Sequence, residues 1–323
     1  MSHIFGVAVR LTRSGHVSRS LDGKAAFVTG ASQGGTGRAV AVRFAAEGAR
    51  VGFTARSVDG LQETLDRIKA LGGTGLAMPC DLSDPAGGRD TLIARTEEAF
   101  GPIDVLVNNA VAHTLKPVHE FTIEELESYA QCNLWAPWLH MSQVIPGMRE
   151  RGRGWILNLT SFSAELPPGP PFARKAKDGS SMYGATKAAL NRVTIAAAGE
   201  NEGVIAVNAL TPQIAILTPR VQAGSIVGAD DICEPVETMA EAALALCTGD
   251  PSVLSGRIAY SLQLLLELDR PTYDLGGREL IAGWQPKDLP RVLKHDVEFH
   301  SGNGWPDAFN FHRPHTPVPA AMR

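Results

Sequence analysis

Val28-Thr29-Gly30-Ala31-Ser32-Gln33-Gly34-Gly35-Thr36-Gly37-Arg38 follows the apolar run Ala25 to Val28 and precedes the helix-like stretch Ala39 to Glu47. The order reads as strand, glycine turn, helix. Glycines have a mechanical use in such a place. They permit a tight turn and let backbone N–H groups approach a pyrophosphate at a helix N-terminus, where the dipole favours negative charge. The stretch therefore reads as a dinucleotide cradle, with a glycine turn of purely structural use as the plainer alternative.

Three further segments lie downstream. Leu106-Val107-Asn108-Asn109-Ala110 is a buried-looking strand ending in two amides, and Trp155-Ile156-Leu157-Asn158-Leu159-Thr160-Ser161 ends another strand in hydroxyls. In Ser181-Met182-Tyr183-Gly184-Ala185-Thr186-Lys187, a helix would place Tyr183 and Lys187 on one face, one turn apart. A tyrosine hydroxyl titrates near pH ~10 in isolation, so acting at neutral pH requires a positive charge beside it that favours the phenolate. Lys187 can supply that charge. An ordinary surface pair is the competing reading of Tyr-x-x-x-Lys alone.

In this order the segments resemble the short-chain dehydrogenase/reductase family, whose motifs are Thr-Gly-x-x-x-Gly-x-Gly, Asn-Asn-Ala-Gly, a serine after the fifth strand, and Tyr-x-x-x-Lys. The resemblance spans about Leu21 to Leu262. It implies that Tyr183 is the general acid/base, that Ser161 hydrogen-bonds the substrate oxygen, and that Lys187 lowers the tyrosine pKa and holds the nicotinamide ribose. Asn133, in Gln131-Cys132-Asn133-Leu134-Trp135, matches the family asparagine that holds a water in the proton relay. A hydrogen bond within its own helix is the other reading of Asn133. Ser161 falls where the family's Asn-Ile-Ser-Ser places its second serine; Thr160 and Ser163 compete, with Ser163 as the reserve.

The resemblance also implies cofactor contacts. Gly30, Ser32, Gly34, Thr36 and Gly37 would form the turn, and Asp81, with Leu82 beside it, would meet the adenine. Asn109 and Ala110, then Pro212, Ile214 and Thr218, would lie along the nicotinamide side with Tyr183 and Lys187. Asp81 has a structural alternative as the cap of a helix from Pro85. Several positions depart from the pattern. Thr36 stands where the family has a glycine and Gly37 follows, so the loop is one residue longer. Val111 replaces the last glycine of Asn-Asn-Ala-Gly, Gln213 replaces the glycine of Pro-Gly, and Thr218 comes one residue late.

Cofactor choice is read at the end of the second strand, where an acid would hydrogen-bond the ribose hydroxyls of NAD and repel a 2′-phosphate. The stretch Val51-Gly52-Phe53-Thr54-Ala55-Arg56-Ser57 has no carboxylate. Arg56 can pair with phosphate through a charge-assisted fork, which predicts NADP over NAD; a solvated surface arginine is the alternative.

Strands are expected near 25–29, 50–54, 75–79, 105–108, 154–160, 204–210 and 256–261, with helices at 39–47, 58–71, 85–100, 123–151, 182–200 and 236–247. Alternation of this kind implies an α/β fold whose parallel sheet is covered on both faces, with ligand at the carboxyl ends of the strands. Family resemblance, rather than periodicity, implies a Rossmann-type doubly wound sheet in strand order 3-2-1-4-5-6-7. One domain is expected over 21–268, with an N-terminal extension (1–20) and an aromatic, proline-rich C-terminal extension (269–323). The first 20 residues carry Arg10, Arg13 and Arg19 and no acid, which also resembles a transit peptide; a plain extension and a cytoplasmic protein are the expectation.

A composition of 44% hydrophobic and 20% charged residues suits a soluble enzyme, and a net charge of -4 without a basic cluster argues against nucleic acid. No apolar run approaches the ~18 residues of a membrane helix. Cys80, Cys132, Cys233 and Cys247 lack C-x-x-C spacing and read as reduced thiols. The proline-rich segment between Ala164 and Ser181 should border a pocket, where Arg174, Lys175 and Lys177 offer charge to an acidic substrate group or simply a solvated face. The apolar run after Thr211 occupies the family's lid position and favours a hydrophobic substrate. Tyr273, Trp284, Phe299, Trp305, Phe309 and Phe311 suggest a strap packed on the core or on a neighbouring subunit. The histidines there, His295, His300, His312 and His315, lack the spacing of a metal site.

These readings converge on an NADP-dependent oxidoreductase that interconverts a carbonyl and a secondary alcohol on a small molecule. The family's habit implies a homodimer or homotetramer formed through the helices carrying Asn133 and Tyr183. Two alternatives stand beside it: a sensor or scaffold that binds NADP without turnover, and a reductase of carbon–carbon double bonds.

Overall fold

Parallel strands covered on both faces need unbroken apolar runs, and β1 (Ala25–Thr29) is buried at all five positions. The structure, a computed structural model, describes residues 19–167, 169–172, 174–219 and 232–302. Around β1 stand β2 (Arg50–Ala55), β3 (Thr74–Pro79), β4 (Val105–Asn108), β5 (Gly154–Leu159), β6 (Ile205–Thr211) and β7 (Ile258–Tyr260). They form one parallel sheet in the order β3-β2-β1-β4-β5-β6-β7, the order that the family resemblance implies. The order reverses beside β1, so the connections that leave the paired strands β1 and β4 run to opposite sides, and the carboxyl ends of these two strands are where sheets of this kind hold ligands.

Alternation along each strand divides the core in two. Val28, Val105, Val107, Leu157 and Ala206 face one layer. Phe27, Leu106, Ile156, Ile205 and Val207 face the other. The first layer is covered by α1 (Thr36–Ala46), α2 (Val58–Ala70), α7 (Val236–Leu246) and α8 (Ser261–Glu267); the second by α3 (Leu92–Phe100), α5 (Ala136–Glu150) and α6 (Ser181–Glu200). Arg43 of α1 is bonded to Glu241 of α7 at 2.6 Å, and Arg270 reaches the same carboxylate at 3.0 Å. That buried cluster ties the segment after α8 to the sheet layers.

Element boundaries differ from expectation in four places. The helix expected from Pro85 starts at Leu92 after a single 3-10 turn, because Gly87 and Gly88 interrupt it and Gly88 has φ 83°. The helix expected over 123–151 is two, α4 (Ile123–Ala130) and α5, joined by a π turn over Gln131–Trp135. Ser261 begins α8 directly after a β7 of only three residues. Beyond it α9 (Leu289–Gly302) sets Leu289 and Val292 into the first core layer, each burial contributing about 1.5–3 kcal/mol. Neither α8 nor α9 was expected, since the short apolar run at 262–268 and the Pro/Gly-rich tail lack a legible helical period.

No helix among the described residues is long and apolar enough to cross a membrane. None of the four cysteines is in a disulfide. The expectations for Trp305, Phe309, Phe311, His312 and His315, for the side chains of Phe299 and His300, and for most of the N-terminal extension and the second half of the lid run, lie outside the described residues.

Candidate active site

The turn between β1 and α1 holds four glycines in three distinct roles. Gly30 and Gly34 have φ of 72° and 69°, and Gln33 between them has φ 57°, so the additional residue is absorbed by left-handed backbone at 33 and 34. Gly37 serves close packing instead: a Cβ there would stand 2.4 Å from the Gly30 carbonyl oxygen and 2.3 Å from Asn109 Nδ2. At Gly35, the N-cap of α1, an added Cβ would meet nothing within 4 Å. The first turn of α1 has no side-chain cap and no acidic residue. Open N–H groups, a positive helix end and free space beside the cap are what an anionic diphosphate requires, so these residues fit a dinucleotide.

Asn109 and Ala110 brace this turn. The Thr29 hydroxyl accepts from both of their backbone N–H groups at 2.9 and 3.0 Å, and Asn109 Nδ2 donates to the carbonyls of Thr29 and Gly30 at 2.8 and 3.1 Å. The Asn109 side chain is thus occupied by protein. Val111, the replacement for the family glycine, is 36% exposed. Gly34 lies against Pro219, which brings the stretch holding Thr218 to the glycine turn.

At the end of β2, Arg56 is exposed, and Ser57 Oγ caps α2 by accepting from Gly60 N–H at 3.1 Å. A Cβ on Gly60 would stand 2.9 Å from Ser32 Cβ, so the glycine turn and the start of α2, just after Arg56, are neighbours. Asp81 does not cap a helix from Pro85. Its Oδ1 accepts from the Ser83 N–H and hydroxyl at 2.9 and 2.7 Å. Burial raises its pKa, but the Ser83 bonds and the Arg56 charge outweigh that and hold Asp81 below the usual carboxylate range. Leu82 beside it is buried, with its carbonyl accepting from Arg89 at 2.7 Å.

The four candidate catalytic residues come from three elements. Ser161 follows β5 and Tyr183 opens α6, both half-buried; Lys187 lies one turn further along α6 and Asn133 in the π turn, both buried. A Cβ on Gly184 would stand 2.4 Å from the Ser163 carbonyl oxygen, so glycine lets α6 approach the turn after β5 closely enough to set Tyr183 beside it. Ser161 Oγ accepts from Ser163 N–H at 3.1 Å. Lys187 Nζ donates to the Leu159 carbonyl at 2.6 Å and stands 5.9 Å from the Tyr183 ring centroid. Burial lowers its pKa to about 8, against a small opposing effect of Cys132.

Asn133 bonds outside its own helix. Its Oδ1 accepts from Ala112 N–H at 2.8 Å, and its Nδ2 donates to Ala112 O at 3.0 Å and to Thr186 Oγ1 at 3.1 Å. Thr186 in turn donates to the Tyr183 carbonyl at 2.9 Å. The π turn thereby clamps the segment after β4 to the start of α6. Beside that clamp the His113 ring meets Tyr183 edge to face, centroids 4.6 Å apart. His113 was missed in the sequence, although its position two residues beyond Val111, past the carboxyl end of β4, was the available signal.

The proline-rich segment borders a cavity of about 630 Å³, whose walls include Leu115, Val118, Glu165, Leu166, Lys177 and Ala188. Ser161 and Tyr183 are not among its lining residues, so it lies beside the catalytic set rather than around it. The side chains of Arg174 and Lys175 lie outside the described residues. No group of three or more metal-ligating side chains occurs among the described residues.

The family model of short chain dehydrogenases matches residues 24–224, well over half of the chain. The chain belongs to the short-chain dehydrogenase/reductase family. A fatty acyl-CoA reductase of Mycobacterium tuberculosis is 37% identical over 177 residues, covering 54% of this chain and 56% of that protein. Hydroxysteroid dehydrogenase-like protein 2 of Danio rerio is 30% identical over 291 residues, covering 85% of this chain and 67% of that protein. A 3-oxoacyl (acyl-carrier-protein) reductase of Agrobacterium tumefaciens C58, solved with NADP bound, superposes with a TM-score of 0.65 at 27% identity, covering 77% of this chain and 97% of the other. The chain thus spans just over half the length of the first of these relatives.

Proposed function

We propose that the chain is an oxidoreductase that interconverts a carbonyl and a secondary alcohol on a hydrophobic small molecule, with NADP preferred to NAD. The observation that carries the reading is the buried Lys187, one turn from Tyr183 on α6 and anchored to the end of β5. Its charge favours the phenolate form of Tyr183, which suits a hydroxyl that both gives and takes a proton. In the reducing direction Ser161 Oγ holds the carbonyl oxygen and Tyr183 donates a proton to it; in the oxidising direction Tyr183 takes that proton back. A bound nicotinamide supplies or accepts the hydride. Asn133 fixes the Ala112 segment against α6 and contributes to the relay that returns the proton to solvent.

The turn Gly30–Gly37 and the open start of α1 hold the pyrophosphate, Ser32 and Arg56 the 2′-phosphate, and Asp81 with Leu82 the adenine. Ala110, the Asn109 backbone, Pro212, Ile214 and Thr218 border the nicotinamide, and Lys187 meets its ribose. The NADP-bound neighbour supports this cofactor. Relatives named for fatty acyl, hydroxysteroid and 3-oxoacyl groups support a substrate with a large apolar body. A cytoplasmic homodimer or homotetramer is part of the reading: Trp135 and Trp138, 47% and 51% exposed, offer an apolar patch where α5 begins.

The test is nicotinamide absorbance with NADPH or NADH against long-chain and polycyclic ketones, alongside Tyr183→Phe. The expected result is NADPH-dependent turnover that the substitution reduces by at least about 100-fold, the scale of general acid catalysis. Tight NADPH binding without turnover of any carbonyl would replace the reading by a binding protein. Saturation of a carbon–carbon bond would replace it by an enoyl reductase.

A further inference from the structure

Residues 213 and 214 follow β6 at the carboxyl edge of the sheet, next to β5, which leads into Ser161. They are held from two sides, by the start of α8 and by Glu234 just before α7. Gln213 N–H donates to Ser261 Oγ at 3.0 Å, Ile214 N–H to Glu234 Oε1 at 3.3 Å, and Ser261 Oγ to both Glu234 oxygens at 3.0 and 2.8 Å. A third hold comes from far along the chain: Gln213 Nε2 donates to Asp296 Oδ2 at 2.7 Å.

Asp296 belongs to α9, beyond the residues that the family model matches. Leu289, Val292, Leu293 and Asp296 follow the i, i+3, i+4, i+7 spacing of one helix face. The first two are buried in the first core layer and Leu293 packs against it, so a carboxylate occupies the fourth place of an apolar stripe. Gln213 and Asp296 are each only 6% exposed. Burying such groups is unfavourable unless a specific partner compensates, and here each supplies a partner to the other. Gln213 Oε1, also buried, finds no partner among the described residues, so the amide is not there for stability alone. Tyr260, at the end of β7, feels the charges of Asp296 and of Glu165, which follows Ser161 by four residues. Asp296 thus bonds the segment after β6 and lies within electrostatic reach of the end of β7.

We propose that Asp296 is a positioning residue: by gripping the Gln213 side chain it fixes the β6 end that borders the nicotinamide, which makes α9 a working part of the active site. The idea rests on the reductase reading, which places the reacting nicotinamide beside residues 212–214. A glycine at 213 would leave α9 nothing to grip, and a glutamine without Asp296 would leave a buried amide loose beside the reacting centre.

The experiment is a cycle of Asp296→Ala, Gln213→Gly and the double variant, with Asp296→Asn as the conservative control. Four readouts are taken: kcat and KM, NADPH affinity by fluorescence titration, Tm, and amide hydrogen exchange over residues 210–218 in the free protein. Asp296→Ala is expected to lower kcat about tenfold, within the range that small misplacements produce, and to speed exchange over 210–218. Gln213→Gly should lower kcat by a similar factor, with no further loss in the double variant. Asp296→Asn, which keeps an acceptor for Gln213, should stay within about twofold of the unsubstituted chain, on the scale of one neutral hydrogen bond. A lower Tm with kcat, affinity and exchange unchanged, or additive losses in the double variant, would overturn the proposal and leave the pair as a structural pin. An unsubstituted chain that turns over no carbonyl sinks the reductase reading instead, while the exchange comparison still decides whether Asp296 holds residues 213 and 214.

Discussion

The starts of α1 and α4 solve the same problem in opposite ways. Each helix begins with N–H groups that lack partners inside the helix. At α4, Thr122 and Glu125 form a reciprocal capping box, the Thr122 hydroxyl accepting from Glu125 N–H and the Glu125 carboxylate from Thr122 N–H at 2.9 Å. Lys116 then binds the same carboxylate at 2.8 Å. At α1 the cap is Gly35, no side chain closes the end, and no acid lies in the first turn. One start is closed by side chains; the other is left open, as the proposed anion site requires.

That contrast can be broken experimentally, and the largest effect belongs to the packing that creates the open end. Gly37→Ala puts a methyl group into backbone atoms of Gly30, and we expect loss of NADPH binding below detection together with a drop in Tm. Retention of full affinity would show that the close approach of α1 to β1 is not required. Next in size is Arg56→Ala. A charge-assisted hydrogen bond contributes about 1.5–3 kcal/mol, so the ratio of NADPH to NADH affinity should fall by roughly ten- to a hundredfold. An unchanged ratio would return Arg56 to the solvated surface.

Gly35→Asp would convert the open start into the closed kind. The backbone there has φ -88°, and an added Cβ meets nothing, so the side chain fits. We expect the free protein to gain about 0.5–1 kcal/mol from the new cap, and NADPH affinity to fall about tenfold as the carboxylate occupies and repels the anion's place. Both changes in the same direction would mean that the start of α1 does not hold the phosphates. The counterpart at the closed start is Thr122→Ala, expected to cost about 1 kcal/mol in denaturant unfolding and to leave NADPH affinity unaltered.

The smallest effect is a pH dependence. Lys187 has its pKa lowered by burial to about 8 from 10.5, so between those values the unfolded chain binds more protons than the folded one. Stability from this group therefore rises with pH across that window. Affinity for an anionic dinucleotide should move the other way and weaken as pH climbs above about 8, because the free protein no longer carries the charge. Lys187→Met should flatten both slopes. A slope that survives the substitution would assign the titration to another group.

Legibility followed the range of the interactions. The glycine turn could be read because left-handed backbone at Gly30 and Gly34 needs a residue without a Cβ, and β1, β4 and β5 could be read because strands buried on both faces must be apolar throughout. Tyr183 and Lys187 were found because helical spacing alone puts them together. Asn133 was found by position, but its clamp on Ala112 depends on a π turn that no local pattern announces. His113 against Tyr183, and Gln213 against Asp296, join residues 70 and 83 positions apart.

By itself, then, the amino-acid sequence determined the parallel sheet, the open glycine turn and the one-turn spacing of Tyr183 and Lys187, because each follows from local sterics or a short repeat. Only the tertiary structure decided that Asn109 serves the turn rather than presenting its side chain to the cleft, that α9 joins the core, and that a carboxylate from α9 grips the end of β6. Those outcomes depend on which distant side chains come to share buried space, where an unpaired polar group is costly and the chain must find it a partner.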